Sequence, residues 1–203
     1  MLKYNCEAIV LKSLNYKDKD KIYTFFTNEY GKISATGRGV RKISSKRGGS
    51  LDSLNYINIK ITETSNGYKN IDEVVVIDSF KNIKKDYLLA TKAFYFAEIL
   101  NKNTEENNND PNLFKLLKKC LQMLDYKKVD TDLITLFFEV HLLKELGYFP
   151  NVPKNNLNIS NTLKQILALK INSLNKNDIL QTSNFISSYI KENLNVSLKS
   201  LTI

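Results

Sequence analysis

The sequence predicts a segregated α+β protein, with a five-stranded β-barrel over residues 1–80 and an all-helical bundle over residues 81–203. Three observations predict it. Before Phe80 the apolar residues follow the two-residue period of half-buried strands, clearest where Ile57, Ile59 and Ile61 alternate with Asn58, Lys60 and Thr62. After Phe80 they recur at helical spacing. Thr131 to Leu146 is apolar nearly all round, the signature of a helix at the centre of a bundle.

In chain order, Glu7–Lys12 and Lys21–Thr27 are short runs rich in β-branched and aromatic residues, and Gly31 to Val40 is a third strand candidate. Ile57–Thr62 is the fourth, Asn66-Gly67 supplies a type I′ hairpin turn, and Val74–Ile77 returns as its partner. Strands this short in so few residues suit a small closed or nearly closed barrel. Lys84 to Lys102 is the first helix, with Leu88, Leu89, Ala93, Phe96, Ala97 and Leu100 on its apolar side. Thr104 to Asp110 is a polar loop, after which Asp110 caps a helix with Pro111 at its first position. Leu113, Leu116, Leu117, Cys120, Leu121 and Leu124 share one face of it. The central helix over Thr131–Leu146 stops at Gly147. Two more helices are expected near Ser160–Ile171 and Asp178–Leu194, and there is no internal repeat.

A net charge of +9 and a pI near 9.3 favour an anionic partner. Cys6 and Cys120 are two lone thiols, which make neither a disulfide framework nor a zinc quartet, and read as small buried hydrophobes. The early apolar run Ala8–Leu11 is shorter than a signal-peptide core, and no stretch is long and apolar enough to span a bilayer. The expectation is a cytoplasmic, nucleoid-associated protein with no membrane partner.

The chemistry concentrates in one segment. The chain has 27 Lys and 25 Asn, so a lysine or asparagine taken alone carries little information. Its three arginines, Arg38, Arg41 and Arg47, nevertheless fall within ten residues of each other. Arginine offers a planar fork that pairs bidentately with phosphate, which lysine cannot do. Lys32, Arg38, Arg41, Lys42, Lys46 and Arg47 form a run without an acid, and Gly37, Gly39, Gly48 and Gly49 let backbone approach a ligand closely. Set against a merely solvated basic loop, this bias favours phosphate binding. Tyr16, Tyr23, Phe25, Phe26 and Tyr30 lie nearby in sequence. Strand aromatics are usually core, but Tyr16 and Tyr23 are the better candidates for stacking on unpaired bases, because a phenol tolerates a wet surface.

Enzymatic readings fare poorly. Gly37–Lys42 begins like a glycine fingerprint but lacks the third glycine and the helical context. Asp130 and Asp132 stand at a helix start, where capping explains them better than metal binding. Asp18 and Asp20, interleaved with Lys17, Lys19 and Lys21, read as a charged turn. His141, the single histidine, reads as a packed helix residue. No catalytic residue, metal site or cofactor is expected, and the chain is read as a non-enzyme.

Several segments occur in a telling order: Glu7–Lys12, Asp20–Ile22 with Thr24–Thr27, Tyr30–Ala35, Gly37–Lys42, Leu146–Pro150 and Leu198–Leu201. Together they resemble the bacterial recombination mediator family RecO across nearly the whole chain. The resemblance implies an N-terminal oligonucleotide-binding (OB) fold and a C-terminal helical domain. It implies binding of single- and double-stranded DNA, annealing of complementary strands, and loading of RecA onto strands coated by single-stranded DNA-binding protein, without ATP. The implied protein partners are RecR and the acidic C-terminal tail of single-stranded DNA-binding protein. Many family members carry a four-cysteine zinc module after the Leu-Gly-Tyr segment. Here Asn151–Asn156 contains no cysteine, so zinc is not expected.

The resulting reading is a DNA repair and recombination protein that grips DNA phosphates non-covalently through Lys32, Arg38, Arg41, Lys42, Lys46 and Arg47, with Tyr16 and Tyr23 stacking on bases. Its rival is a protein-interaction adaptor whose helical bundle docks a partner peptide, with the basic loop serving solubility.

Overall fold

The computed structural model describes residues 2–42, 45, 47–152, 156–171 and 174–195, with the Arg47 side chain excepted. Five strands come first: β1 (Leu2–Tyr16), β2 (Asp20–Thr27), β3 (Gly31–Gly37), β4 (Tyr56–Glu63) and β5 (Lys69–Asp78). A one-turn helix, α1 (Arg47–Ser50), lies between β3 and β4. The strands close a barrel in the order β1-β2-β3-β5-β4, antiparallel except at the closure, where β3 and β5 meet in parallel at Thr36 and Asn70. β1 makes the closure possible. Its first half pairs with β4 (Leu2–Ile9) and its second with β2 (Ala8–Tyr16), with a bulge between Val10 and Lys12 where the strand changes direction.

The run Ala8–Leu11 is continuously apolar because both faces of β1 are buried. Cys6, Ala8 and Val10 point into the barrel with Tyr23, Phe25, Ile33, Ile57, Ile59 and Ile61. Ile9 and Leu11 point outward, with Phe26 and Tyr56, into the core of the helical part.

That part comprises α2 (Lys81–Lys85), α3 (Tyr87–Asn103), α4 (Pro111–Tyr126), α5 (Thr131–Glu145), α6 (Leu157–Leu167) and α7 (Lys176–Asn193). Aspartates start three of them. Asp86 accepts from the Leu88 and Leu89 amides, Asp110 from Leu113 at 3.0 Å, and Asp130 from Asp132 at 2.8 Å and Leu133 at 3.3 Å. Each such cap contributes about 1 kcal/mol. α5 is the buried centre, stacking Phe138 on Phe96 of α3 at 4.3 Å. Its end is a Schellman motif: Gly147 sits at φ 78°, its amide donates to Lys144, and the Tyr148 amide donates to Leu143.

Four sequence-based expectations need correction. The helix expected over Lys84–Lys102 is two, because Asp86 leaves helical geometry to cap α3. β1 is longer than Glu7–Lys12, because its ends stay paired to two different partners. The turn at Asn66-Gly67 is not type I′, since only Gly67 takes a positive φ, at 77°. Instead the Gly67 amide donates to Thr64 and the Thr64 amide to Tyr68, a three-residue loop with glycine in the left-handed position. The last two helices each begin earlier than their apolar residues suggested, at Leu157 and Lys176. Among the described residues no helix is long and apolar enough to cross a membrane.

Candidate nucleic-acid interface

The basic segment is assembled from two loops at one end of the barrel. β1 turns into β2 through Lys17–Lys19, with Lys17 left-handed at φ 51° and Tyr16 paired to Asp20. After β3, residues 38–42 fold back against that hairpin. The Arg41 amide donates to the Lys19 carbonyl at 3.1 Å, and Arg41 Nη1 donates to the Lys17 carbonyl at 3.2 Å. The Gly39 amide donates to Asp20 Oδ1 at 2.8 Å. Val40 is buried in the barrel core and anchors the loop from below. Gly39 itself sits at φ 67°, a conformation that a side chain would strain. Gly37 is needed for space, since a Cβ there would lie 2.9 Å from the Tyr23 ring and from Val40.

Arg38, Arg41, Lys42, Lys17 and Lys19 are all exposed on this composite surface. Tyr16 is 40 % exposed beside them, with the Lys17 ammonium 5.2 Å from its ring centroid. A phenol face beside an ammonium can stack a base while the cations of the two loops meet phosphates. Arg41 spends one donor on the Lys17 carbonyl, and a guanidinium has five.

Two expected contacts are overturned. Tyr23 is 2 % exposed, with its ring against Phe25 inside the barrel, so it is core and cannot stack on a base. Lys32 lies at the far end of β3, roughly 17 Å along the strand from Gly37. Its ammonium donates to the Asn101 carbonyl at 2.7 Å and to the Thr104 carbonyl, which ties the barrel to the end of α3. Burial pushes that ammonium's pKa down. It is a strut between barrel and bundle, set apart from the arginine loop. Tyr30 also belongs to that far end, packed edge-on against Tyr4 at 4.9 Å. Lys46 and the Arg47 side chain lie outside the described residues.

Sequence reasoning missed Lys17, Lys19 and Asp20. Alternating charges read as a charged turn, and nothing local says that a loop further along the chain folds over it. It also missed Glu139, the sole charged residue from Leu133 to Leu143, which is 4 % exposed and accepts from the Tyr95 hydroxyl at 2.6 Å. A lone carboxyl inside an apolar helix was the available signal.

On the helical part, α4 presents an apolar strip between lysines. Gln122, Met123, Tyr126 and Val129 line a hollow of about 390 Å³ flanked by Lys119 and Lys128. A smaller neighbour of about 180 Å³ adds Leu116, Phe137 and His141, and Lys115 also lines it. The Lys119 ammonium lies 4.8 Å from the Phe137 ring. Burial pushes the His141 imidazole below its ordinary pKa, so it meets this groove as a neutral ring.

A family model described as Recombination protein O N terminal matches residues 1–80, and one described as Recombination protein O C terminal matches residues 84–162. A DNA repair protein RecO of Thermoanaerobacter sp. (strain X514) is 36% identical over 146 residues, which is 72% of this chain and 58% of that protein. One from Listeria monocytogenes serotype 4b (strain CLIP80459) is 32% identical over 151 residues, 73% of this chain and 58% of that protein. One from Bacillus pumilus (strain SAFR-032) is 34% identical over 146 residues, 72% and 56% respectively. The matched segment spans under 60% of the length of each of these relatives and leaves α7 outside both family models.

Proposed function

The chain belongs to the recombination protein O family, and from that premise we propose that it is a DNA repair and recombination mediator that works by non-covalent binding. One observation supports the DNA-binding part above the others. Arg38, Arg41 and Lys42 are held against the Lys17–Lys19 hairpin by three hydrogen bonds rather than left on a loose loop. A pre-formed cationic surface loses less conformational entropy when it meets phosphates. Tyr16 adds a stacking platform that tolerates any base, so binding should depend strongly on salt and weakly on sequence. The same surface would hold single- or double-stranded backbone, and holding two strands at once would promote annealing.

In this reading, the α4 groove receives the acidic C-terminal tail of single-stranded DNA-binding protein. Lys115, Lys119 and Lys128 would meet its carboxylates, and Met123, Phe137 and Val129 its apolar side chains. Displacing that protein while RecR joins would open the strand to RecA. RecR, RecA loading and nucleoid association rest on the family resemblance. No step requires bond making, a metal or a cofactor.

The test is fluorescence anisotropy of a labelled single-stranded oligonucleotide over a salt series, comparing wild type with Arg38→Ala/Arg41→Ala. The double variant should bind more weakly, and its log–log salt slope should fall by about 1.4, from about 0.7 per lost phosphate contact. Equal affinity and slope would place the DNA surface elsewhere. An acidic tail peptide titrated against Lys119→Glu tests the groove separately, and unchanged peptide affinity would remove it from the mechanism.

A further inference from the structure

Beside the cationic loops, the outer face of the barrel carries an apolar row. Past its bulge, β1 alternates between the two faces of the sheet. Ser13 lies opposite Tyr23, whose ring is in the barrel core, so Leu14 and Tyr16 point outward. Leu14 stands opposite Ile22 of β2, and Ile22 opposite Thr36 of β3, which makes one outward row across the sheet. Leu14 is 62 % exposed, Ile22 and Thr36 are half-buried, and Leu14 and Ile22 lie outside both hydrophobic cores formed by the described residues. A single exposed leucine is ordinary. What sets this one apart is its setting. On one side the row meets Tyr16 and the Lys17–Lys19 hairpin, against which Arg41 is held. On the other side the next outward row is Lys12, Thr24 and Ser34, with Lys12 exposed.

Spacing along β1 decides what can cover this row. Tyr16 and Leu14 are two residues apart on one strand, about 7 Å. In a duplex, successive nucleotides of one strand rise by only about 3.4 Å, and their bases are stacked and paired inside. A duplex therefore offers this face phosphates and groove edges, and leaves Leu14 and Ile22 uncovered. An unpaired strand can be drawn out until one base lies on Tyr16 and the next on the row beside it. A second copy of this chain is a poor occupant, because docking two such faces would bring Lys12, Lys17, Lys19 and Arg41 of both copies together.

We propose that Leu14 and Ile22 are specificity-determining residues that make this surface prefer an unpaired strand, extended so that one base stacks on Tyr16 and its neighbour covers Leu14 and Ile22. This preference rests on the DNA-binding role of the Arg38–Lys42 loop and adds the choice between substrates to it. The cations serve single strand and duplex alike, since both present phosphates, whereas only bases freed from pairing can bury apolar side chains.

The experiment is anisotropy titration of the full chain with one labelled oligonucleotide, either single-stranded or annealed to its complement, over a salt series. A fluorescent adenine analogue that brightens on unstacking sits within the strand. Wild type should favour the single strand, increasingly so as salt rises, because screening weakens phosphate contacts and leaves apolar ones. Leu14→Ser, at an exposed position, should lower single-strand affinity about fivefold and leave duplex affinity and both salt slopes as they were. Leu14→Phe should raise single-strand affinity alone, and the analogue should brighten less on Leu14→Ser than on wild type. An unchanged ratio of single-strand to duplex affinity in Leu14→Ser overturns the proposal, as does a changed sedimentation of the DNA-free Leu14→Ser chain with single-strand affinity intact, which would give the face to a second copy. The Arg38→Ala/Arg41→Ala variant separates the two failures. If it weakens both DNA forms while Leu14→Ser keeps the wild-type ratio, the apolar row alone falls, and if it weakens neither, the loop itself is misassigned.

Discussion

Replacing Glu139 by glutamine should reshape the dependence of stability on pH, by an amount that follows from its burial. The carboxyl is buried, its one hydrogen bond among the described residues comes from Tyr95, and desolvation raises its pKa from 4.5 to about 7. The folded protein therefore holds this proton more tightly than the unfolded chain does. The resulting stability is fully present below pH 4.5 and is lost as pH rises through 7. About 2.5 pKa units at about 1.4 kcal/mol each give roughly 3 kcal/mol. The glutamine side chain of Glu139→Gln has no titrating proton, so relative to wild type the variant should gain roughly 3 kcal/mol between pH 4.5 and pH 8. His141 acts in the opposite direction. Burial lowers its pKa, so its contribution is present above its ordinary value of 6.5 and lost as pH falls through the folded pKa. It is common to both proteins and cancels in the difference. Urea unfolding followed by circular dichroism at four pH values measures that difference. A value constant to within about 0.5 kcal/mol across the range would refute the assignment of a buried, proton-holding Glu139.

Gly31→Ala should destabilise the protein by at least about 2 kcal/mol, because a Cβ there would lie 1.9 Å from the Asn108 carbonyl oxygen and the residue sits at φ 65°; a smaller loss in thermal unfolding would mean that the loop yields. Lys32→Met should lower stability by about 1–3 kcal/mol, for two charge-assisted hydrogen bonds lost at a partly buried site. Its salt slope for DNA should match wild type, and a reduced slope would return Lys32 to the DNA surface. Asp20→Ala separates positioning from simple charge. Removing an acid beside DNA should tighten binding by electrostatics alone, whereas freeing the Gly39 amide should loosen Arg38 and Arg41 and weaken it. Weaker binding, restored by Asp20→Asn, is expected in the anisotropy assay, and tighter binding in Asp20→Ala would show that the loop needs no clamp.

The parts of the fold that were legible in the sequence are those whose signals are local. Alternation at Ile57, Ile59 and Ile61, the Asp110-Pro111 start of α4 and the Gly147 stop of α5 each follow from neighbours within a few residues. What misled was tertiary. Tyr23 and Tyr16 share β-strand neighbourhoods and a phenol, but Tyr23 packs under Gly37 and Val40 while Tyr16 ends its strand in solvent, a difference set by a loop beyond the next strand. Lys32 belongs by sequence to the same basic run as Arg38, yet a strand carries its side chain away to the carbonyls that end α3.

The same physics separates the arginines from the surrounding lysines. A lysine in this chain can serve as strut, ring neighbour or ion-pair partner, as Lys32, Lys118 and Lys127 do. Arg41 does something that an ammonium cannot do as well. It spans the hairpin with one guanidinium nitrogen on the Lys17 carbonyl while its backbone holds Lys19, and the planar fork still has donors left for a phosphate. Arg41→Lys should therefore lower DNA affinity at unchanged net charge. The salt slope would hold near the wild-type value, because the charge remains, while the affinity falls by several-fold with the loss of the bidentate geometry. If Arg41→Lys binds as wild type does, charge alone is what the loop supplies, and the arginine cluster has no geometric role in holding DNA.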